Sequence, residues 1–122
     1  CNHVRNVTDD QMRALKAVDG LLGLTLANNF IDSDKDKQTM ARFLEHVKHA
    51  IDIMGIDNVC FGFDFMDYLS DFPNSNLEAV KDTTYTYRII EGLKQIGLTD
   101  DEIDKVCYRN FYDRYKDKVV FK

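Results

Sequence analysis

Two short apolar runs constrain the fold of this 122-residue chain more than any other feature. Residues 21–27 (LLGLTLA) and 59–65 (VCFGFDF) are almost continuously apolar, which is typical of strands buried on both faces of a parallel sheet. Between them, residues 40–54 carry apolar side chains at three- and four-residue steps, the period of an amphipathic helix. This order predicts an α/β fold in which a helix joins two parallel strands.

Further helices flank the two runs in the sequence. Residues 8–11 (TDDQ) and 99–102 (TDDE) both match the capping-box pattern that begins a helix. The predicted helices cover residues 8–20, 40–54, 82–96 and 99–115, and a glycine stands at or just after the end of the first three. Residues 32–37 and 70–76 are predicted loops, and residues 119–121 are either a small strand or a frayed end.

Two strands are too few to form a stable parallel sheet by themselves. We therefore expect residues 1–122 to be the C-terminal segment of a single (β/α)8 TIM-barrel domain. They would supply the last two strands and their covering helices, while the N-terminal part of the barrel is absent. A self-contained small α/β domain is the alternative, and cooperative folding of the 122 residues alone would favour it.

Charge and cysteine usage argue against several classes of partner. The net charge is −5, whereas nucleic acids and anionic membrane surfaces favour a basic protein face. No apolar run approaches the roughly 20 residues that span a bilayer. We therefore expect neither a nucleic acid nor a membrane as partner. The cysteines Cys1, Cys60 and Cys107 form no Cys-x-x-Cys pair, so we expect reduced thiols in a cytoplasmic protein.

Polar side chains stand where the predicted strands end. Asp64 lies at the end of the second apolar run between two phenylalanines, and Asn28 and Asn29 follow the first run. In (β/α)8 barrels the carboxyl ends of the strands form the active face. Asp64 is therefore placed to deliver a carboxylate to such a site, with a capping or turn aspartate as the alternative.

Several segments together resemble the membrane (renal) dipeptidase family of zinc peptidases. Residues 1–10 (CNHVRNVTDD) are similar to the family's Arg-Asn-Leu/Val-Thr/Pro-Asp segment, and residues 43–55 (FLEHVKHAIDIMG) to a helix that begins Asp-His-Ile-Asp-His-Ile. Residues 62–65 (GFDF) match the Gly-Ser/Gly-Asp-Phe strand end. Residues 98–102 and 110–111 are similar to the closing helix. The resemblance covers nearly the whole chain in the order of the family.

The resemblance implies a barrel that holds two zinc ions and cleaves dipeptides at the carboxyl ends of its strands. Arg5 would bind the terminal carboxylate of the dipeptide, since a guanidinium can meet a carboxylate with paired hydrogen bonds. A solvated loop arginine is the alternative for Arg5. Asp64 would contact the metal-bridging water and the free amino group of the substrate, and could pass a proton to the leaving amine. The family also includes many dimers, so a homodimer is a further expectation.

The metal ligands of that family are not found in this sequence. They are an upstream His-x-Asp pair, a bridging glutamate and two histidines, which we expect in the absent N-terminal part. His46 and His49 stand three residues apart on the predicted helix, a spacing that can bind metal, but packing or surface roles are predicted because no carboxylate–histidine set surrounds them. His3 lies near Arg5, although the family does not require it. No metal ligand is assigned in this chain.

One position departs from the family pattern. Many members carry Asp-Phe-Asp-Gly at the strand end, whereas Met66 replaces the second aspartate here, which affects the expected substrate preference more than the hydrolytic chemistry. The alternative function is a barrel fragment or homologue that no longer catalyses and serves as a binding or assembly module. An upstream sequence without the histidine ligands would favour that alternative.

Overall fold

The fold is built on a parallel pair of strands joined by a helix. The computed structural model describes residues 1–66, 68 and 76–119. Strand β1 (Leu22–Leu24) pairs in parallel with β2 (Val59–Phe61), with Gly23 opposite Cys60. Helix α3 (Met40–Met54) connects them and has the predicted bounds. The predicted α/β class is therefore confirmed for this part of the chain.

Helices precede, connect and follow the strands. The other α-helices of the described residues are α1 (Asp9–Ala17), α2 (Asn28–Ile31), α4 (Tyr87–Gln95), α5 (Asp100–Asp104) and α6 (Asn110–Tyr115). Short 3-10 turns occur at Lys35–Lys37, Ile56–Asn58, Glu78–Val80 and Thr83–Tyr85, and a π-helical turn at Lys105–Arg109. Thr8 and Thr99 each form the reciprocal backbone and side-chain bonds of a capping box, as predicted. None of these helices is long and apolar enough to cross a membrane.

Strand β1 is shorter than the predicted strand 21–27, because the chain beyond it changes partner. The Leu26 carbonyl accepts the N–H of Leu77 with N and O 3.2 Å apart, and Ala27 forms an antiparallel bridge with Asn76. Helix α2 follows directly, where the sequence predicted a break. The apolar run is thus a strand whose second half pairs with a returning segment.

Strand β2 is also shorter than predicted. Its ladder ends with the bond from the Gly62 N–H to the Leu24 carbonyl, with N and O 2.9 Å apart. Burial nevertheless continues to alternate, since Phe63 and Phe65 are half-buried while Gly62 and Asp64 are exposed. The two-residue period of a strand therefore continues past the last ladder bond.

The core lies between the strands and the helices. Its largest fully buried side chains are Phe43, Leu26, Ile31, Met54, Leu77, Ile89, Leu93, Val47, Val59, Val80 and Val106. The Phe43 ring lies 6.0 Å from that of Phe61 and 6.4 Å from that of Phe63, measured between centroids. Helix α4 packs closely on α3 at Gly92, where a Cβ would lie 2.8 Å from Leu44 Cδ1. Complete burial of a large apolar side chain stabilises a fold by about 1.5–3 kcal/mol.

The last helix is fixed to the amino end of β2 by a buried amide. Asn110 donates from Nδ2 to the carbonyls of Ile56 and Val59, at 2.7 and 2.8 Å. The sequence predicts one helix over 99–115, but the π-helical turn Lys105–Arg109 separates α5 from α6. The helix therefore changes its winding just before the residue that bonds to the strand.

Asp19, just before Gly20, adopts the left-handed backbone after α1, with φ of 53°. Its carboxylate accepts bonds from Asn58 at 2.9 Å and Arg114 at 3.0 Å, and these bonds lower the pKa of Asp19. Gly20 itself leaves no room for a side chain, because a Cβ there would collide with the Leu15 side chain and lie 2.9 Å from the Leu15 carbonyl oxygen. The bonds to Asp19 hold the turn in a conformation that is uncommon for a residue with a side chain.

His46 joins α3 to α2 from a half-buried position. Its Nε2 lies 2.8 Å from the Ile31 carbonyl oxygen, which can only accept, so this nitrogen carries the proton. Burial lowers the pKa of His46, and the bond to Ile31 opposes that shift only in part. The predicted packing role of His46 is confirmed.

Some predicted segments lie wholly or largely outside the described residues. They are most of the loop 70–76, including Pro73, and most of the tail 119–121. The predicted helix 82–96 is found as the 3-10 turn Thr83–Tyr85 followed by α4. The predicted loop 32–37 contains one 3-10 turn.

Replacing Asn110 by alanine should destabilise the protein through the two carbonyls that lose their donor. Because a buried polar group left unsatisfied costs about 1–3 kcal/mol, we expect the free energy of unfolding, measured in urea, to fall by about 2 kcal/mol. Asp113→Asn, at an exposed position of the same helix, should change it by less than about 0.5 kcal/mol. Equal stability of the two variants would contradict the role of Asn110.

Acidification should destabilise the fold through His46. Its pKa lies below the ordinary 6.5 in the folded protein, so the unfolded chain binds more protons as the pH falls through 6.5, and stability falls with it. We expect the loss of melting temperature between pH 7.5 and 5.5 to be smaller in His46→Gln than in the wild type. His49→Gln removes an exposed histidine from the same helix as the control. A loss as large in His46→Gln as in the wild type would overturn this account.

Candidate active site

Asp64 lies beyond the carboxyl end of β2, on the side of the chain opposite the aromatic rings. The rings of Phe61 and Phe63 stack with centroids 5.0 Å apart, and Phe65 meets Phe63 edge to face at 5.7 Å. Asp64 alternates with them and is exposed. Ligands of α/β sheets bind outside the carboxyl ends of the strands. The aromatic series therefore presents the Asp64 carboxylate at the edge where such sites form.

Arg5 lies beside the segment that follows β1. Its guanidinium carbon is 4.9 Å from the centroid of the Phe30 ring, a cation–π contact. His3 packs on the same ring with centroids 4.8 Å apart, and its Nδ1 accepts the N–H of Arg5 at 3.2 Å. Phe30 belongs to α2, which follows the β1 segment. Both Arg5 and Asp64 therefore lie towards the carboxyl ends of the strands.

Asn6 anchors the loop that carries Arg5. Its Nδ2 donates to the Phe30 carbonyl at 2.8 Å and to the Cys1 carbonyl at 3.2 Å. Asn6 is partly buried, whereas Arg5 is exposed. The backbone of the loop is therefore tied to α2 while the arginine head remains open to an anionic ligand.

A cavity of about 370 Å³ lies between this loop, β1 and helices α1, α2 and α3. Polar groups in its lining come from Arg5, His49 and Asp9. The last two are joined by a hydrogen bond, with His49 Nε2 and Asp9 Oδ1 2.9 Å apart. Asp64 is not part of the lining. The chain by itself thus places Arg5 and Asp64 at one edge of the sheet without enclosing them in one cavity.

The described residues do not provide a metal centre. Over residues 1–66, 68 and 76–119, no three His, Cys, Asp or Glu side chains come together as metal ligands would. His46 bonds to a backbone carbonyl and His49 to a carboxylate, which are the packing and surface roles predicted for them. A two-metal site would therefore need ligands from outside this part of the chain.

Cys60 and Cys107 are poor candidates for an alternative nucleophile. Cys1, Cys60 and Cys107 are all free. Burial raises the pKa of the Cys60 thiol and, together with the charge of Asp104, that of Cys107. A raised pKa reduces the fraction of reactive thiolate, so catalysis by either of these two cysteines is disfavoured.

Phe30 and Asn76 are the residues of this edge that sequence reasoning missed. Phe30 supports both His3 and Arg5, and Asn76 donates from Nδ2 to the Asp64 carbonyl at 3.2 Å. A phenylalanine directly after two polar residues at a strand end was a signal for the first. Asn76 stands in a polar loop, where an asparagine is unremarkable.

Comparisons with known proteins agree on one family. Residues 1–116 match the membrane dipeptidase family, peptidase family M19. An uncharacterized protein in the pqqA 5′ region of Klebsiella pneumoniae is 31% identical over 91% of this chain and 40% of its own length. Dipeptidase tcpJ of Claviceps purpurea is 25% identical over 88% of this chain and 24% of its own length.

Solved structures give the same result. A metallopeptidase from Rhodobacter sphaeroides, liganded with a phosphinate mimic of the dipeptide L-Ala-D-Ala, superimposes with a TM-score of 0.78 at 26% identity. It is matched over 92% of this chain and 31% of its own length. The dipeptidase AC, a family M19 metallopeptidase, gives 0.77 at 27% identity, over 89% of this chain and 30% of its own length. The chain thus spans between 24% and 40% of these relatives, and it belongs to the membrane dipeptidase family, peptidase family M19.

Proposed function

We propose that this chain is the C-terminal part of a zinc-dependent dipeptidase with a (β/α)8 barrel, whose remaining strands lie outside the 122 residues. The observation that carries the proposal is that Arg5 and Asp64 lie towards the same carboxyl edge of a parallel strand pair, in a chain of a dipeptidase family. The short sheet supports it, because Gly23 is exposed on one face and parallel sheets are normally covered on both.

Arg5 would recognise the carboxylate that terminates a dipeptide. Its exposed guanidinium rests on Phe30, which limits the directions it can take while leaving its donors available. A planar guanidinium forms paired, charge-assisted bonds with a carboxylate. Such a contact would distinguish a dipeptide from the interior of a longer chain, where no free carboxylate follows the second residue.

Asp64 would act at the other end of the substrate. Its carboxylate would bind the free amino group and accept a proton from the attacking water, then release a proton to the leaving amine. The metal, for which we propose zinc, would be held by residues outside the part of the chain that the structure describes, where no suitable ligand group occurs. The fragment alone would therefore not hydrolyse dipeptides.

A first test is the metal dependence of the full-length protein. Hydrolysis of dipeptides such as L-Ala-D-Ala should be lost on treatment with a chelator and restored by added zinc. Activity that is indifferent to the chelator would contradict a metal-dependent dipeptidase. Absence of hydrolysis in the zinc-loaded protein would favour a binding or assembly module instead.

A second test addresses Arg5 through its proposed ligand. Arg5→Ala should raise KM at least about tenfold for dipeptides with a free C-terminal carboxylate, because a charge-assisted contact is lost. The corresponding dipeptide amides lack that carboxylate and should be affected less than about twofold. Arg5→Lys is the matched control, since it keeps the charge without the planar fork. Its KM for dipeptides with a free carboxylate should lie between those of the wild type and Arg5→Ala. An equal loss on acids and amides would contradict carboxylate recognition.

A further inference from the structure

The main chain at Asp64 is held by a buried side chain. The β2 ladder has ended before this residue, since its last bond to β1 is made by Gly62. The Asp64 carbonyl accepts Nδ2 of Asn76 at 3.2 Å. Asn76 is only 3% exposed, so water competes little for this bond.

Asn76 is in turn fixed to the segment that follows β1. Its main-chain carbonyl accepts Nδ2 of Asn28 at 3.0 Å, and its backbone forms an antiparallel bridge with Ala27. The next residue, Leu77, donates its N–H to the Leu26 carbonyl at 3.2 Å and is 1% exposed. Asn76 is therefore held by backbone pairing, by a side-chain bond and by the core contact of its neighbour.

We propose that Asn76 is a positioning residue for Asp64, a role that rests on the catalytic function proposed for that aspartate. Asn76 would not touch the substrate. It would fix the distance of the Asp64 main chain from the end of β1, which the strand ladder no longer controls at this point. Catalytic groups lose much of their effect when they are displaced by about 1 Å. Loss of the bond from Asn76 would therefore reduce the contribution of Asp64 by displacing its carboxylate.

The chemistry of the contact favours an amide at position 76. An amide nitrogen can donate to the Asp64 carbonyl, whereas an aspartate in its place would offer only acceptors when ionised. The nearly isosteric Asn76→Asp would therefore bring two oxygens together and bury a charge. We expect Asn76→Asp to disturb the site more than Asn76→Ala, which removes the donor without introducing a charge.

The test is a double-mutant cycle in the full-length, zinc-loaded protein. The probe is a phosphinate mimic of L-Ala-D-Ala, whose dissociation constant is measured by calorimetry for the wild type, Asn76→Ala, Asp64→Ala and the double variant. We expect Asn76→Ala to weaken binding about tenfold in the wild type and less than twofold in the Asp64→Ala background. Asn76→Asp should weaken it further than Asn76→Ala.

The outcomes separate this inference from the proposed function. An equal loss from Asn76→Ala in both backgrounds would show a purely structural role and overturn the inference while leaving Asp64 as proposed. No loss from Asp64→Ala alone would overturn both. Zinc content and melting temperature are measured for every variant. If the alanine variant does not fold, Asn76→Leu, which is nearly isosteric with asparagine and has no donor, is carried through the same cycle with the same criterion.

Discussion

The packing of Phe43 against the rings of Phe61 and Phe63, at the end of β2 and just beyond it, decides on which side of the chain Asp64 lies. The backbone ladder between the strands covers only three residue pairs. Its hydrogen bonds therefore do not fix the backbone conformation at Asp64. The rings of Phe61 and Phe63 lie against Phe43 on α3, and Phe65 continues the series. Because side chains alternate along an extended chain, fixing the rings on the helix side fixes the carboxylate on the other side.

The two ends of the strand pair have different tasks. At the amino end, Asn110 donates hydrogen bonds to two backbone carbonyls. Arg114 donates to a third carbonyl and to the Asp19 carboxylate, so the polar groups there are paired within the protein. At the carboxyl end, Arg5 and Asp64 are exposed and available to a ligand. In barrels of parallel strands, residues at the amino end serve stability and those at the carboxyl end serve chemistry. The distribution of bonds in this chain follows that division.

Local patterns predicted the capped starts of two helices and the bounds of α3 well, and the strand ends poorly. The capping boxes at Thr8 and Thr99 are set by residues within four positions, so the sequence alone specifies them. The length of β1 depends instead on Asn76, some fifty residues later, which takes over the pairing at Ala27. The bond between Asn76 and Asp64 joins residues twelve positions apart, which is also too far for a local pattern to predict. Asp64 was predicted from its place at a strand end, and the roles proposed for Arg5 and Asp64 came from the resemblance to a family. Phe30, which supports Arg5, required the structure.

The charges of Arg5 and Asp64 complement those of the proposed substrate. A dipeptide carries a positive amino group at one end and a negative carboxylate at the other, and the proposal pairs these with Asp64 and Arg5. In the isolated chain both side chains are exposed, so water screens them and each contact would be weak. Enclosure by the rest of a barrel would strengthen both contacts by removing that water. Burying Arg5 or Asp64 without the oppositely charged group of a substrate would cost free energy. A site of this kind would therefore bind the zwitterionic dipeptide more tightly than neutral peptides of the same size.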